Sequence, residues 1–291
     1  MIKYLLGVDG GGTGTRVLLA TRVGTVLAQA SAGPSALGQG VDAAWRNILA
    51  GVQQAFALAE LPVPDWSHCA LGAGLSGVHH QPWCDAFVAT NPGFASLVVE
   101  NDAFIALLAA HKGQPGAMVA AGTGSVGEAL YADSTRREVS GWGFPVGDEG
   151  SGAWLGLRAM SHAQEAMDRR VPGGQLAARI HQLCGTHRDA LQAWCASAGQ
   201  NEYAQLAPTV FESAAHDPVA EALLAEAAAA IERMATALDP RATLPLAVCG
   251  SVGRQLLPRL AGATRARCIA SPQDAVYGAL TLVHQSLETS P

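Results

Sequence analysis

The feature that most limits what this chain can fold into is a glycine-rich turn that occurs twice, each time between two short β-rich runs. The run Lys3 to Val8 leads into Asp9-Gly-Gly-Gly-Thr-Gly14, and Thr15 to Ala20 follows as a second run. Far downstream, Met118 to Ala121 leads into Gly122-Thr-Gly-Ser125, and Val126 to Tyr131 follows. Strand, tight turn, strand is a β-hairpin. Glycine in such a turn lets backbone N–H groups approach a ligand closely because no Cβ intervenes. A concavity of N–H groups takes anions, phosphate above all.

The residues around each turn follow one plan. After the first hairpin, Gly24 to Ala30 reads as a third strand. Apolar residues at Val41, Trp45, Ile48, Leu49, Val52, Phe56 and Leu58 then recur at helical spacing. A strand at Ser67 to Ala73, a helix near Pro82 to Thr90, a strand at Ser96 to Val99 and a helix from Asp102 to His111 complete the order βββαβαβα. Gln114-Pro115-Gly116 reads as a hinge, and beyond it the plan restarts, with Glu138 to Trp142 as third strand. Helices are expected over Gly150 to Met167, Gln175 to Leu183, Arg188 to Ala198, Glu202 to Ala214 and the alanine-rich Val219 to Leu238. A strand at Leu244 to Cys249, a helix at Val252 to Leu260 and a strand at Ala266 to Ile269 follow. A closing helix begins at Pro272, where proline suits the first turn. The expected fold is α/β, a duplicated βββαβαβα unit whose copies face each other across a cleft. The first lobe covers 1–114, the second 115–271, and the closing helix, 272–291, packs back on the first.

Composition narrows the function classes. Hydrophobic residues make up 49% and charged residues 14%, enough to bury a sizeable core. A net charge of −6 without any basic block argues against a nucleic-acid partner. Apolar runs stop well short of the roughly twenty residues a spanning helix needs, and Tyr4 to Val8 is too short for a signal-peptide core. No membrane partner and a cytoplasmic address are expected. The six cysteines form no C-x-x-C pair, so neither a disulfide nor a metal-sulfur site is expected.

Two familiar phosphate motifs are excluded. A dinucleotide fingerprint needs a third glycine where Thr15 stands, and a helix where a strand follows. A P-loop needs Gly-Lys-Ser/Thr, but the lysines are Lys3 and Lys112. What remains is a pair of hairpin turns able to grip a polyphosphate.

Asp102 ends Val99-Glu-Asn-Asp102, at the carboxyl end of a strand, where open α/β sheets place ligand contacts. The same position suits a helix N-cap. Gly147-Asp-Glu-Gly150 sets two carboxylates on a loop expected to expose them. His79-His80 are adjacent and point apart, so no metal site is expected there. Trp45, Phe56 and Trp66 are expected as core or cleft-wall aromatics, and Arg136, Arg137, Arg169 and Arg170 as solvated surface.

Taken as an ordered set, Gly7-Val-Asp-Gly-Gly-Gly-Thr-Gly-Thr-Arg16, Ala121-Gly-Thr-Gly-Ser125, Gly141-Trp-Gly143 with Gly147-Asp-Glu-Gly-Ser151, and Cys249-Gly-Ser-Val252 resemble the actin, hexokinase and Hsp70-like ATPase superfamily. Within it the chain is similar to the BadF/BadG/BcrA/BcrD ATPase family, in the branch holding N-acetylglucosamine and glucosamine kinases. The likeness runs from Ile2 to about His284. It implies ribonuclease H-like (actin-like ATPase) lobes, and transfer of the ATP γ-phosphate to the 6-hydroxyl of N-acetylglucosamine or glucosamine. By that likeness Gly10, Gly11, Gly12 and Thr13 take the ATP phosphates, and Asp9 organises Mg2+ through water. Gly122, Thr123 and Gly124 face the terminal phosphates, while Gly250 and Ser251 border the adenosine. Asp102 is the general base and touches the sugar, Gly143 and Asp148 bind sugar hydroxyls, and Glu149 receives no role. A homodimer is expected on the same ground.

The chain also departs from that pattern. Kinases holding the N-acetyl group place asparagines after Gly-Pro-Ser and after Gly-Thr-Gly-Ser; here Ala36 and Val126 stand instead. The acceptor is then glucosamine, or the acetylated sugar held by other contacts. Two other classes share the likeness. Activators of partner reductases bridge two subunits through an iron-sulfur cluster, for which no cysteine here is suitably placed. Sugar-sensing repressors carry a DNA-binding segment, which is not expected ahead of the first strand.

Overall fold

The computed structural model describes residues 1–270 and 273–289. Contacts divide the chain into two units, Met1–Pro115 with Ala270–Pro291, and Gly116–Ile269.

In the first unit the strands are β1 (Tyr4–Gly10), β2 (Thr15–Thr21), β3 (Val26–Ala32), β4 (Cys69–Leu75) and β5 (Ser96–Glu100). They form one sheet in the order β3-β2-β1-β4-β5, with β1 antiparallel to β2 and parallel to β4. The helices are α1 (Val41–Leu58), α2 (Gln81–Ala89) and α3 (Asp102–His111). The closing helix, Ala275–Thr289, belongs to this unit as well. Its expected start at Pro272 lies outside the described residues.

Alternation along β1 assigns its faces. Leu6 and Val8 join Ile48, Val52 and Phe56 of α1 in one apolar cluster. Leu5, pointing the other way, joins Val276, Leu280 and Val283 of the closing helix. That helix lies unusually near the sheet. A Cβ on Gly7 would stand 2.7 Å from the Val276 carbonyl oxygen, and one on Gly278 would collide with the Ile105 carbonyl of α3. Trp45 and Phe56 are core, as expected, and Trp45 stacks on Phe87 with ring centroids 4.1 Å apart.

The second unit repeats the sheet. Strands β6 (Gly116–Ala121), β7 (Ser125–Leu130), β8 (Arg136–Ser140), β9 (Leu246–Cys249) and β10 (Cys268–Ile269) lie in the order β10-β9-β6-β7-β8. Read from the other edge, this is the order of the first sheet. Between β8 and β9 run α4 (Gly152–Met167), α5 (Gln175–Cys184), α6 (Arg188–Ser197), α7 (Gln200–Ala204), α8 (Ala207–Ser213) and α9 (Pro218–Leu238). The short α10 (Ser251–Leu256) and α11 (Gly262–Ala266) separate β9 from β10. Asp217 caps α9, its carboxylate accepting the N–H groups of Val219 and Ala220.

Several expectations need correction. The helix expected over Glu202 to Ala214 is two helices, because Pro208 offers no N–H to the Ala204 carbonyl and its ring crowds that group. The helix expected over Val252 to Leu260 ends at Leu256, and Pro258 sits in a 3-10 turn, Leu257–Arg259. α11, within 262–266, carries no apolar periodicity that could announce it. Arg136 is exposed, as expected, though it also lies 3.7 Å from Glu128, whose side chain is 1% exposed.

Candidate functional site

The first unit presents its glycine turn in a defined orientation. The carbonyl of Gly10 accepts the N–H of Ser76 (3.0 Å), and that of Gly11 accepts those of Ser35 (3.1 Å) and Ala36 (3.2 Å). The Gly12 carbonyl accepts the Gln39 side-chain amide at 3.1 Å, and the Gly14 carbonyl accepts the N–H of Gly11 at 3.0 Å. Beneath them Thr15 Oγ1 donates to the Gly33 carbonyl (2.6 Å) and lies 2.7 Å from the Ser35 hydroxyl. The turn's carbonyls are thus taken by protein. The N–H groups of Gly12 and Thr13 donate to no acceptor among the described residues, and both residues are exposed.

Gly11 sharpens this picture. A Cβ there would meet nothing within 4 Å, and its φ is not in the left-handed region. The protein itself would accept alanine, so glycine at this position keeps space open outside the protein. A cavity of about 270 Å³ adjoins it, lined by Asp9, Gly11, Thr13 and Arg16 among others.

Asp9 stands at the end of β1, on the face that carries the closing helix. Arg16, its partner across the hairpin, lies 3.2 Å from it and 3.3 Å from Asp274 just ahead of that helix. Burial raises the Asp9 pKa; Arg16 lowers it, and the negative charges of Asp102 and Asp274 raise it further. The structure therefore places Asp102 within electrostatic reach of Asp9. Asp102 opens α3, but Asn101 is the cap, its side chain accepting the Phe104 N–H at 2.6 Å. The capping role that the position of Asp102 allows belongs to its neighbour. Asp102 keeps an accessible carboxyl set in crowded surroundings. The partial loss of hydration raises its pKa against two backbone N–H bonds, from Ala103 and from its own amide, and the nearby His79.

The second unit repeats the device with other fastenings. The Gly122 carbonyl accepts the Gly152 N–H at 2.7 Å, and the Thr123 carbonyl accepts that of Ala153 at 3.1 Å, tying the turn to the start of α4. The N–H groups of Thr123 and Gly124 donate to no acceptor among the described residues apart from the sheet. Gly122, like Gly11, has nothing within 4 Å of a built Cβ and no left-handed φ. Gly250 differs: its φ is +81°, and a Cβ would collide with the Ala121 carbonyl. It brings β9 and Ser251 against the turn, so Gly122, Thr123 and Ser251 line one cavity of about 170 Å³ together with Pro208, Phe211 and Gln255.

Asp148 corrects an expectation. Glu149 is exposed, but the Asp148 side chain is buried, with its residue 4% exposed. Burial raises its pKa against N–H bonds from Ser125 and Gly143, Glu149 raises it further, and the Gln200 amide donates to it at 2.8 Å. A Cβ on Gly124 would lie 2.7 Å from its Oδ2. Its own φ of +62° is a conformation Asp tolerates better than most residues. Asp148 thus ties Gly143 and the second turn together. Val126 packs beside Gly141, and Ala36 lies in the loop that holds Gly11.

Each unit therefore gathers its own set: Asp9, Gly10 to Thr13 and Asp102 in the first; Gly122 to Gly124, Gly143, Asp148, Gly250 and Ser251 in the second. Sequence reasoning missed Gln39, Gln200 and Gln255, which no motif marks. Arg16 lies inside the quoted motif, and its pairing across the hairpin is the signal that could have found it. Among the described residues no group of three or more His, Cys, Asp and Glu could hold a metal, and no helix is long and apolar enough to cross a membrane.

Known proteins resemble this arrangement over its whole length. A glucosamine kinase of Vibrio cholerae is 31% identical over 280 residues, 96% of this chain and 95% of its own. A solved structure from Chromobacterium violaceum, provisionally labelled an N-acetylglucosamine kinase, shares 46% identity and a TM-score of 0.92, covering 97% of this chain and 99% of that one. A Streptomyces griseus glucokinase of the ROK family, solved with glucose and AMPPNP, shares the fold at 19% identity, with a TM-score of 0.54 over 97% and 99% of the two chains. The family model of the BadF/BadG/BcrA/BcrD ATPases matches residues 6–245. With its two glycine hairpins on two sheets of the same strand order, the chain belongs to the BadF/BadG/BcrA/BcrD ATPase family.

Proposed function

We propose that this protein is an ATP-dependent kinase that phosphorylates the 6-hydroxyl of a hexosamine, glucosamine ahead of N-acetylglucosamine. The observation that carries this reading is the pair of turns whose carbonyls are fastened inward while exposed N–H groups and the open glycines Gly11 and Gly122 are left for an anion. The Vibrio cholerae relative named a glucosamine kinase and the absence of amide side chains at Ala36 and Val126 favour the free amino sugar.

On this reading the turns Gly10 to Thr13 and Gly122 to Gly124 take the ATP phosphates, with the N–H groups of Gly12, Thr13, Thr123 and Gly124 as the donors, and Gly250 and Ser251 border the adenosine. Asp9 fits Mg2+, a cation that takes oxygen ligands and keeps most of its waters, because its carboxylate is held by Arg16 and its residue lines the same cavity as Gly11 and Thr13. When bound, the ion neutralises charge developing on the transferred phosphoryl group. Asp102 accepts the proton of the attacking hydroxyl, a role suited by a raised pKa and by its freedom from capping. Gly143 lines the sugar subsite, and Asp148 reaches a sugar hydroxyl by exchanging the Gln200 amide for it. A homodimer and a cytoplasmic address belong to the same reading.

The test is an ADP-release assay with ATP and Mg2+ against glucosamine, N-acetylglucosamine, glucose and N-acetylmannosamine. Turnover with glucosamine above the others is expected. Nucleotide hydrolysis indifferent to every sugar would remove the kinase reading.

A further inference from the structure

The cavity beside the second turn holds a polar group with no role so far. Gln255, on α10, reaches back so that its Nε2 donates to the Ser251 carbonyl oxygen at 3.2 Å. A carbonyl oxygen can only accept, which fixes the orientation of the amide: nitrogen toward Ser251, oxygen away from it. Among the described residues Oε1 takes no hydrogen bond. It belongs to a residue lining a cavity that the apolar Ala207, Pro208 and Phe211 line as well. Thr123 and Ser251 line the same cavity, and their hydroxyls can donate or accept. Gln255 Oε1 can only accept.

We propose that Gln255 is the base-specificity residue of this kinase, its tethered amide oxygen accepting a hydrogen bond from the exocyclic amine of adenine packed along Pro208 and Phe211. The inference rests on the proposed function, because it takes the cavity as the nucleoside end of an ATP site. An acceptor held in place favours a base that presents N–H donors and opposes one that presents a carbonyl at the same position. Adenine meets that demand; hypoxanthine, with an oxygen in place of the amine, sets two acceptors against each other. The tether matters as much as the oxygen, since a side chain free to rotate would turn its nitrogen to a carbonyl-bearing base and lose the preference.

The experiment measures kcat/KM for ATP, ITP and 2′-deoxy-ATP with saturating amino sugar, in the full-length protein and in its Gln255→Leu and Gln255→Glu variants. Binding of the same nucleotides with Mg2+ is measured by calorimetry without sugar. The unaltered protein should prefer ATP over ITP by about tenfold, the worth of one hydrogen bond with its desolvation. Gln255→Leu should erase that ratio by lowering kcat/KM for ATP toward that for ITP, with the melting temperature unchanged, the position being exposed. Gln255→Glu, which can still accept, should keep ATP ahead. An unchanged ATP/ITP ratio in Gln255→Leu, or a ratio lost equally in Gln255→Glu, overturns the proposal. A variant that loses discrimination against 2′-deoxy-ATP instead moves the contact to the ribose and also overturns it. If no sugar is phosphorylated the kinase reading fails by itself, and the calorimetric ATP/ITP ratio still decides the base contact.

Discussion

The two units share a strand order and a glycine hairpin, yet their turns are fastened differently and carry different chemistry. The first turn is bordered by Asp9, Arg16 and Asp102, groups whose charges interact and whose carboxylates both have raised pKa values. The second turn has Ala121 and Val126 beside it, and the carboxylate set against it, Asp148, is taken up by protein donors. Where the first has charge, the second has the cavity of Pro208, Phe211 and Gln255. A repeated scaffold thus offers the same backbone donors twice, while on the proposed reading the side chains around them divide the labour between reacting groups and nucleoside.

Four measurements can break or sharpen that division. The largest effect belongs to Asp102→Ala, which should lower kcat by about 10²–10⁴-fold, the usual contribution of a general base, with nucleotide affinity unchanged in calorimetry. Undiminished turnover would take the reacting carboxylate out of the first unit. Next, Gly250→Ala places a side chain at φ +81° and into the Ala121 carbonyl. It should cost about 3 kcal/mol of stability through strain and overpacking, read from denaturant melts. A third experiment sets Gly11→Ala beside Gly122→Ala. Both should melt like the unaltered protein, because nothing lies within 4 Å of the added carbon, and both should weaken ATP by about tenfold because the added carbon holds phosphate off the neighbouring N–H groups. Equal ATP affinity in either variant would show that its turn does not touch the nucleotide.

The smallest effect is electrostatic. Asp9 and Asp102 hold their protons more tightly when folded than unfolded, so their contribution to stability is present below the ordinary carboxylate pKa and is lost as pH rises through the raised values. Asp9→Asn and Asp102→Asn should therefore raise the melting temperature at neutral pH. Asp217 is the opposite case. Burial pushes its pKa up, but the N–H groups of Leu176, Val219 and Ala220 outweigh it and bring the value below normal. Its stabilisation is present at neutral pH and fades as acid protonates it, so Asp217→Asn should lower the melting temperature there. A rise in both classes, or a fall in both, would dissolve the contrast between site and structural carboxylates.

Much of this arrangement is legible in the order of the residues. The glycine runs bounded by β-rich segments place both hairpins, and α3 begins at Asp102 and ends at His111 as the apolar spacing requires. Prolines mark the helix breaks at Pro208 and Pro258, but the apolar spacing around them points the other way and hides both. Asp148 reads as exposed because two adjacent carboxylates among glycines look solvated, and the three donors that surround it come from β7, the Gly143 loop and α7.

By itself the sequence determined the duplicated α/β plan, the turns able to meet phosphate, and Asp9 and Asp102 at strand ends, because these depend on local periodicity and on residues near one another in the chain. The tertiary structure decided which way each turn faces, since the carbonyls of Gly10, Gly11, Gly12, Gly122 and Thr123 find their donors on distant segments. It also decided that Gln255 lines the same cavity as Phe211. Hydrogen-bond partners far apart in the chain leave no periodic trace, and that is why only the folded molecule reveals them.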